Sequence, residues 1–185
     1  MARTPSNMLD LGTIAPEFSL LNTVNQQSLT FAQAHGENGT VVMFICNHCP
    51  YVKHVFEGIV RLAKDYQKKA IGFVAISSND VENYPDDSPE LMQQTAEAQG
   101  FTFPYLYDET QEVAKAYDAA CTPDFYLFDD AQRLVYRGQM DDSRPGNEIP
   151  VTGKDLRDAL DALLSGASIN PLQKPSLGCN IKWKA

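Results

Sequence analysis

The sequence has 185 residues, 43% of them apolar, and its 24 acidic side chains outnumber 15 Lys and Arg, for a formal charge of −9. That length suits one sizeable core, and the apolar share excludes wholesale disorder. The acid excess argues against nucleic acid and anionic membranes as partners, since both need a basic footprint, and four cysteines are too few for a disulfide scaffold.

Met1 to Asn7 holds no apolar run of the signal-peptide kind, and no segment approaches the ~18 apolar residues of a membrane span. The expected location is therefore the cytoplasm, where cysteines are reduced, catalytic or metal-bound. Residues 12–20 end in alternating apolar positions, Asn22–Gln27 supplies turn residues, and Leu29 and Phe31 resume the pattern. This predicts a β-hairpin and a brief helix near 31–34. Thr40–Cys46 is a continuous apolar, β-branched run, as in a strand buried on both faces. From Cys49 to Lys68 the period is helical, with Val52, Val55, Phe56, Ile59, Val60 and Ala63 on one face and Pro50 in the first turn, where its missing N–H costs nothing.

Ile71–Ser77 is a second buried strand, and 79–87 a polar loop. Ser88 and Pro89 start a helix that Gly100 stops. Phe103–Tyr107 is a third strand, Gln111–Tyr117 a short helix, and Phe125–Asp129 with Arg133–Gly138 an antiparallel hairpin. After a charged loop over 141–153, Thr152 is expected to cap a final helix with Asp155 three residues on. Gly166 ends that helix, and residues 167–185 read as an irregular tail. Strands alternating with helices imply an α/β fold with a central sheet covered on both faces, in one domain over 1–185 with its core at about 12–166.

Cys46-Asn47-His48-Cys49 falls where the first buried strand becomes a helix. The positive end of the helix dipole and its unpaired N–H groups stabilise a thiolate there. The separation allows a disulfide with local rearrangement. The first cysteine is expected to be the more exposed, because the second begins a packed helix. Cys46 is therefore the candidate attacking thiol and Cys49 its resolving partner, through a mixed disulfide on Cys46. A cationic His48 would stabilise the Cys46 thiolate and make the disulfide more oxidising. Zinc would need two more ligands. His48, His54, Cys121 and Cys179 are the available candidates, but no second pair has metal-ligand spacing, so neither a metal nor a cofactor is expected.

Four blocks carry a family resemblance: Gly12-x-x-Ala15-Pro16-x-Phe18-x-Leu20, Phe44 to Val52 around the cysteine pair, Cys121-Thr122-Pro123-Asp124-Phe125 continuing to Asp129, and Gly178-Cys179-Asn180-Ile181-Lys182-Trp183. Through them the chain resembles the thioredoxin-fold superfamily, and within it the peroxiredoxin-like (AhpC/TSA-type) redoxins that carry a CxxC. The resemblance implies a central mixed sheet flanked by helices, with an N-terminal β-hairpin and a strand–helix insertion. It also implies that Pro123 is a cis-proline facing the CxxC, and that Thr122 offers backbone hydrogen bonds to a bound peptide. Cys121 would then approach Cys46 from the opposite side, as a small buried residue or an additional redox group. Cys179 is a resolving thiol or a packed anchor of the tail.

Peroxiredoxins use Pro-x-x-x-Thr-x-x-Cys. Here the position three before Cys46 is Met43, and the one three before Cys49 is Cys46 itself. The leading expectation is thus a thiol–disulfide oxidoreductase acting on protein or small-molecule disulfides, with thioredoxin or glutathione as reductant, as a monomer or homodimer. The alternatives are an antioxidant thiol peroxidase with Cys46 as the peroxidatic residue, and a non-enzymatic redox-sensing or metal-binding module.

Overall fold

The computed structural model describes residues 3–185. In chain order the elements are β1 (Arg3–Pro5), β2 (Ser19–Asn22), β3 (Gln27–Thr30), α1 (Phe31–Ala34), β4 (Gly39–Phe44), α2 (Pro50–Gln67), β5 (Ile71–Ser77), α3 (Pro89–Gln99), β6 (Tyr105–Tyr107), α4 (Glu112–Ala116), β7 (Cys121–Thr122), β8 (Asp124–Phe128), β9 (Leu134–Gly138), α5 (Lys154–Ser165) and β10 (Leu177–Asn180). Seven strands form a mixed sheet in the order β3-β2-β6-β5-β4-β8-β9, with β4, β5 and β6 parallel and the other pairings antiparallel.

The apolar run of β4 is buried at every residue, and its alternation splits the core. Val41, Met43 and Ile45 face the cluster built with α2, α3 and α5. Val42 and Phe44 face the one built with Phe31, Val113 and Tyr117. This two-sided covering is why the strand lacks a polar face. Both sides of β4 are therefore rigid, and the segment leaving its C-terminal end is held in place by the sheet.

Three expectations are corrected. The tail is not wholly irregular, because β10 joins β1 and β7 in a second, three-stranded sheet in the order β1-β10-β7. Neither β1 nor β10 has a long apolar alternation; each gains its hydrogen-bond partners only from a distant segment. The final helix is capped by Gly153 in the left-handed region (φ 71°) rather than by Thr152. The buried Asp141 carboxylate accepts from the Thr152 and Gly153 amides at 2.8 and 2.6 Å, and so holds the chain in that turn. The third strand begins at Tyr105, since Phe103 instead stacks on Phe101 with ring centroids 4.6 Å apart in the cluster beneath α2 and α3.

Candidate active site

The loop from Cys46 to Cys49 joins the end of β4 to α2. Cys49 is the N-cap of α2 in an extended conformation, and Pro50 occupies the first turn. A 3-10 turn at Pro85–Asp87 comes up beneath the loop. The buried Asp87 Oδ1 accepts from the Asn47 amide at 2.7 Å. The Asn47 side chain donates to Asp86 O at 2.8 Å and accepts from the Tyr105 hydroxyl at 3.1 Å. The loop is thus pinned by the acidic segment 80–87, whose sequence suits either a border of the site or a solvated loop, while the hydrogen-bond roles of Asp87, Asn79 and Asn47 carry no local sequence signal.

The two sulfurs are both buried, between the end of β4 and the start of α2. Facing them is the Thr122–Pro123 peptide, which is cis. Cys46 Sγ lies 3.4 Å from Thr122 Oγ1. Cys49 Sγ lies 3.4 Å from Thr122 O and 2.8 Å from Cys179 Sγ. Thr122, Pro123 and Cys179 are therefore brought to the pair. Cys121 is buried on β7 beside them, but strand alternation turns its side chain away from the face on which Thr122 meets Cys46.

The expected difference in exposure is all but absent, since both thiols are buried, Cys46 at 1% and Cys49 at 0%. The expectation of a depressed Cys46 pKa is corrected. As a thiol Cys49 donates to Thr122 O and Cys179 Sγ; as a thiolate it is favoured by hydrogen bonds from Cys46, Cys179 and the Val52 amide. Together they bring Cys49 down to about 5 despite its burial. Cys46 is held well above its usual value first by Cys49, then by burial and by the Asp87 charge near it. The helix end acts through the residue that caps it, and that residue is Cys49. Each sulfur's shift is set first by the other, so the titration belongs to the pair.

His48 also departs from its expected role. Its Nδ1 lies 2.6 Å from Asp87 Oδ2, its ring stacks on Tyr84 at 5.6 Å, and the bond to Asp87 raises its pKa. Burial works to raise the Asp87 carboxyl, but donation from His48 and Asn79 outweighs it and holds the group low. A cationic His48 is therefore neutralised by its own partner rather than by the Cys46 sulfur. Cys46, His48 and Asp87 have ligand atoms within 4.8 Å of one another. Asp87 Oδ2, however, already accepts from His48 and, at 2.8 Å, from Asn79, so a cation would have to displace these bonds. The side chains of Asn47 and His48 open onto a groove of about 830 Å³ between α2 and α3.

Beyond the cis-proline, Asp124 is enclosed and accepts from Ser6 Oγ at 2.7 Å, the Phe125 amide at 3.1 Å and the Tyr126 hydroxyl at 3.0 Å. Burial pushes its carboxyl up to about 7 in spite of these donors. In the unfolded chain the group titrates near 3.9, so the native state binds the extra proton between about 4 and 7. Stability falls as pH rises through that window, by about 4 kcal/mol at most. Asp124→Asn should flatten this slope. Urea midpoints from pH 4.5 to 8 check it, and parallel profiles for the two proteins would refute it.

The AhpC/TSA family model matches residues 11–137, a stretch that runs from the N-terminal hairpin through the CxxC and the cis-proline to β9. The chain belongs to the AhpC/TSA family. Its thioredoxin-like fold is shared by an uncharacterized conserved protein from Geobacillus kaustophilus, 60% identical over 100% of this chain and 97% of that one, with a TM-score of 0.98. A hypothetical protein from Sinorhizobium meliloti 1021 is 47% identical over 98% of this chain and 99% of that one, with a TM-score of 0.96. DsbE of Chlorobium tepidum, named for thiol:disulfide interchange, is similar in fold at 17% identity, over 84% of this chain and 99% of that one, with a TM-score of 0.66. No curated protein matches the sequence. In this AhpC/TSA member no helix among the described residues is long and apolar enough to cross a membrane.

Proposed function

We propose that the protein is a thiol–disulfide oxidoreductase turning over a Cys46/Cys49 dithiol–disulfide couple. The observation that carries this reading is the pair itself: two buried thiols three residues apart at the start of α2, both sulfurs 3.4 Å from Thr122 of the cis Thr122–Pro123 peptide. The position of the peroxiredoxin threonine is taken by Met43, buried inside β4, which favours a disulfide over peroxide as the substrate.

Cys46 is the attacking sulfur. It stands in the loop whose neighbours Asn47 and His48 reach the groove, whereas Cys49 begins the packed helix and is enclosed by Thr122 O and Cys179. As Cys46 bonds to one sulfur of the substrate disulfide, the other sulfur leaves as a thiolate and the Cys46 proton passes to Cys49. Cys49 then gives that proton to the departing thiolate. The Cys49 thiolate attacks Cys46, forming the Cys46–Cys49 disulfide and expelling the second substrate thiolate. The substrate is reduced by two electrons and the protein pair oxidised by two.

The edge of Thr122 that a peptide would pair with is already taken by β10. A small disulfide entering beside His48 therefore suits the site better than an extended peptide, and glutathione disulfide is a suitable probe. With Cys49→Ser, it should leave a lasting glutathione adduct on Cys46, mapped by peptide mass spectrometry, and Cys46→Ser should retain none. An adduct on another cysteine, or no adduct in Cys49→Ser, would overturn the reading.

A further inference from the structure

The three-stranded sheet brings a third sulfur to the site. Strand β10 pairs with β7 so that Cys179 is opposite Thr122 and Asn180 opposite Cys121. The approach is close: a Cβ on Gly178 would meet Thr122 O at 1.9 Å. The strand continues into contacts with the loop under the CxxC, since the Lys182 amide donates to Asn79 Oδ1 and Lys182 O accepts from the Asp80 amide, both at 2.8 Å. Cys179 is thereby held 2% exposed, with its sulfur 2.8 Å from Cys49 Sγ. Cys46, Cys49 and Cys179 form a series in which Cys49 touches both of the others.

We propose that Cys179 is a third member of the redox centre, exchanging with the Cys46–Cys49 disulfide to give a Cys49–Cys179 disulfide and a reduced Cys46. This rests on the dithiol reading above. The Cys179 sulfur attacks Cys49, the Cys49–Cys179 bond forms as Cys46–Cys49 breaks, and Cys46 leaves with the electron pair and takes up the proton that Cys179 gives away. The numbers of disulfides and thiols are unchanged, so no outside oxidant is needed. In the dithiol state there is no disulfide for Cys179 to attack, and burial and the neighbouring Cys49 charge push its thiol up to about 12. Oxidation of Cys49 removes that charge. The product state ties the C-terminal strand covalently to the start of α2 and returns an attacking thiol to the site while the protein is still oxidised.

The test oxidises the full chain with glutathione disulfide, quenches in acid at intervals, alkylates the remaining thiols with N-ethylmaleimide and maps the bridges by mass spectrometry. Wild type should form Cys46–Cys49 first and Cys49–Cys179 after it. Cys46→Ser treated with diamide, which oxidises two thiols to a disulfide, should form Cys49–Cys179 directly. Removing one of two similarly populated oxidised forms, Cys179→Ser should lower the equilibrium constant for oxidation by glutathione about twofold, by simple mass action. Cys46–Cys49 alone, with Cys179 fully alkylated and no twofold change, would overturn the exchange and leave the dithiol reading standing. Cys49–Cys179 formed with no Cys46–Cys49 at any time would overturn both.

Discussion

Replacing either Cys46 or Cys49 with serine should lower catalytic turnover of glutathione disulfide by at least about a thousandfold, the scale on which loss of a covalent nucleophile is felt. The two losses should differ in kind. Without Cys46 the substrate disulfide meets no attacking sulfur. Without Cys49 the first exchange still happens once, but the mixed disulfide has no neighbour to resolve it. The pH profile of wild type should carry the mark of the coupled pair. A free thiol reacts faster as pH rises toward about 8.5. Here the single charge of the pair is already present above about 5, so the rate of the first exchange should rise through pH 5 and stay level to pH 8. Stopped-flow measurement of that first exchange decides it. A rate still climbing tenfold between pH 7 and 8 would mean that the attacking sulfur is an ordinary thiol, unassisted by Cys49.

Gly178→Ala should be among the most damaging single-methyl changes available in this chain. Its Cβ would meet Thr122 O at 1.9 Å, Thr122 C at 2.7 Å and the Pro123 ring at 3.2 Å. The first two are backbone atoms and have no rotamer to yield with, so β10 must move off β7. Overpacking usually costs about 1–3 kcal/mol, and this contact belongs at the upper end. Gly100→Ala is the natural control, since nothing lies within 4 Å of its Cβ although φ is +68°, and its expected cost is about 1 kcal/mol. The two effects also differ in place. Moving β10 withdraws Cys179 from Cys49 and uncovers the pair, so alkylation of Cys46 and Cys49 should accelerate in Gly178→Ala and not in Gly100→Ala. Chemical denaturation and timed alkylation measure both quantities. Equal stability of the two variants would mean that the β7–β10 contact is looser than the structure has it.

The parts of the fold legible in the sequence are those whose information is local. The unbroken apolar runs of β4 and β5 mark strands covered on both faces, and the period of α2 marks its buried stripe. The turn residues around Asp130 mark the β8–β9 hairpin. The cysteine pair is legible for the same reason, because its position at a strand-to-helix junction follows from the elements on either side. The cis-proline was reached through the Thr122-Pro123 block and not from spacing, since cis is a minority state of any X-Pro bond.

What the sequence by itself determined is thus the alternation of strands and helices, the family, and the two cysteines at the start of α2. The tertiary structure decided what surrounds the pair, because Cys46 meets the Thr122 hydroxyl while Cys49 meets Thr122 O and Cys179. It decided that His48 answers to Asp87, 39 residues away in the chain. It also decided that Cys179, 130 residues from Cys49, belongs to the site. The physical reason is the same in each case. A thiol's proton, an imidazole's charge and a short strand's pairing are set by what stands within a few ångströms, and here those neighbours come from segments that only the closed fold brings together.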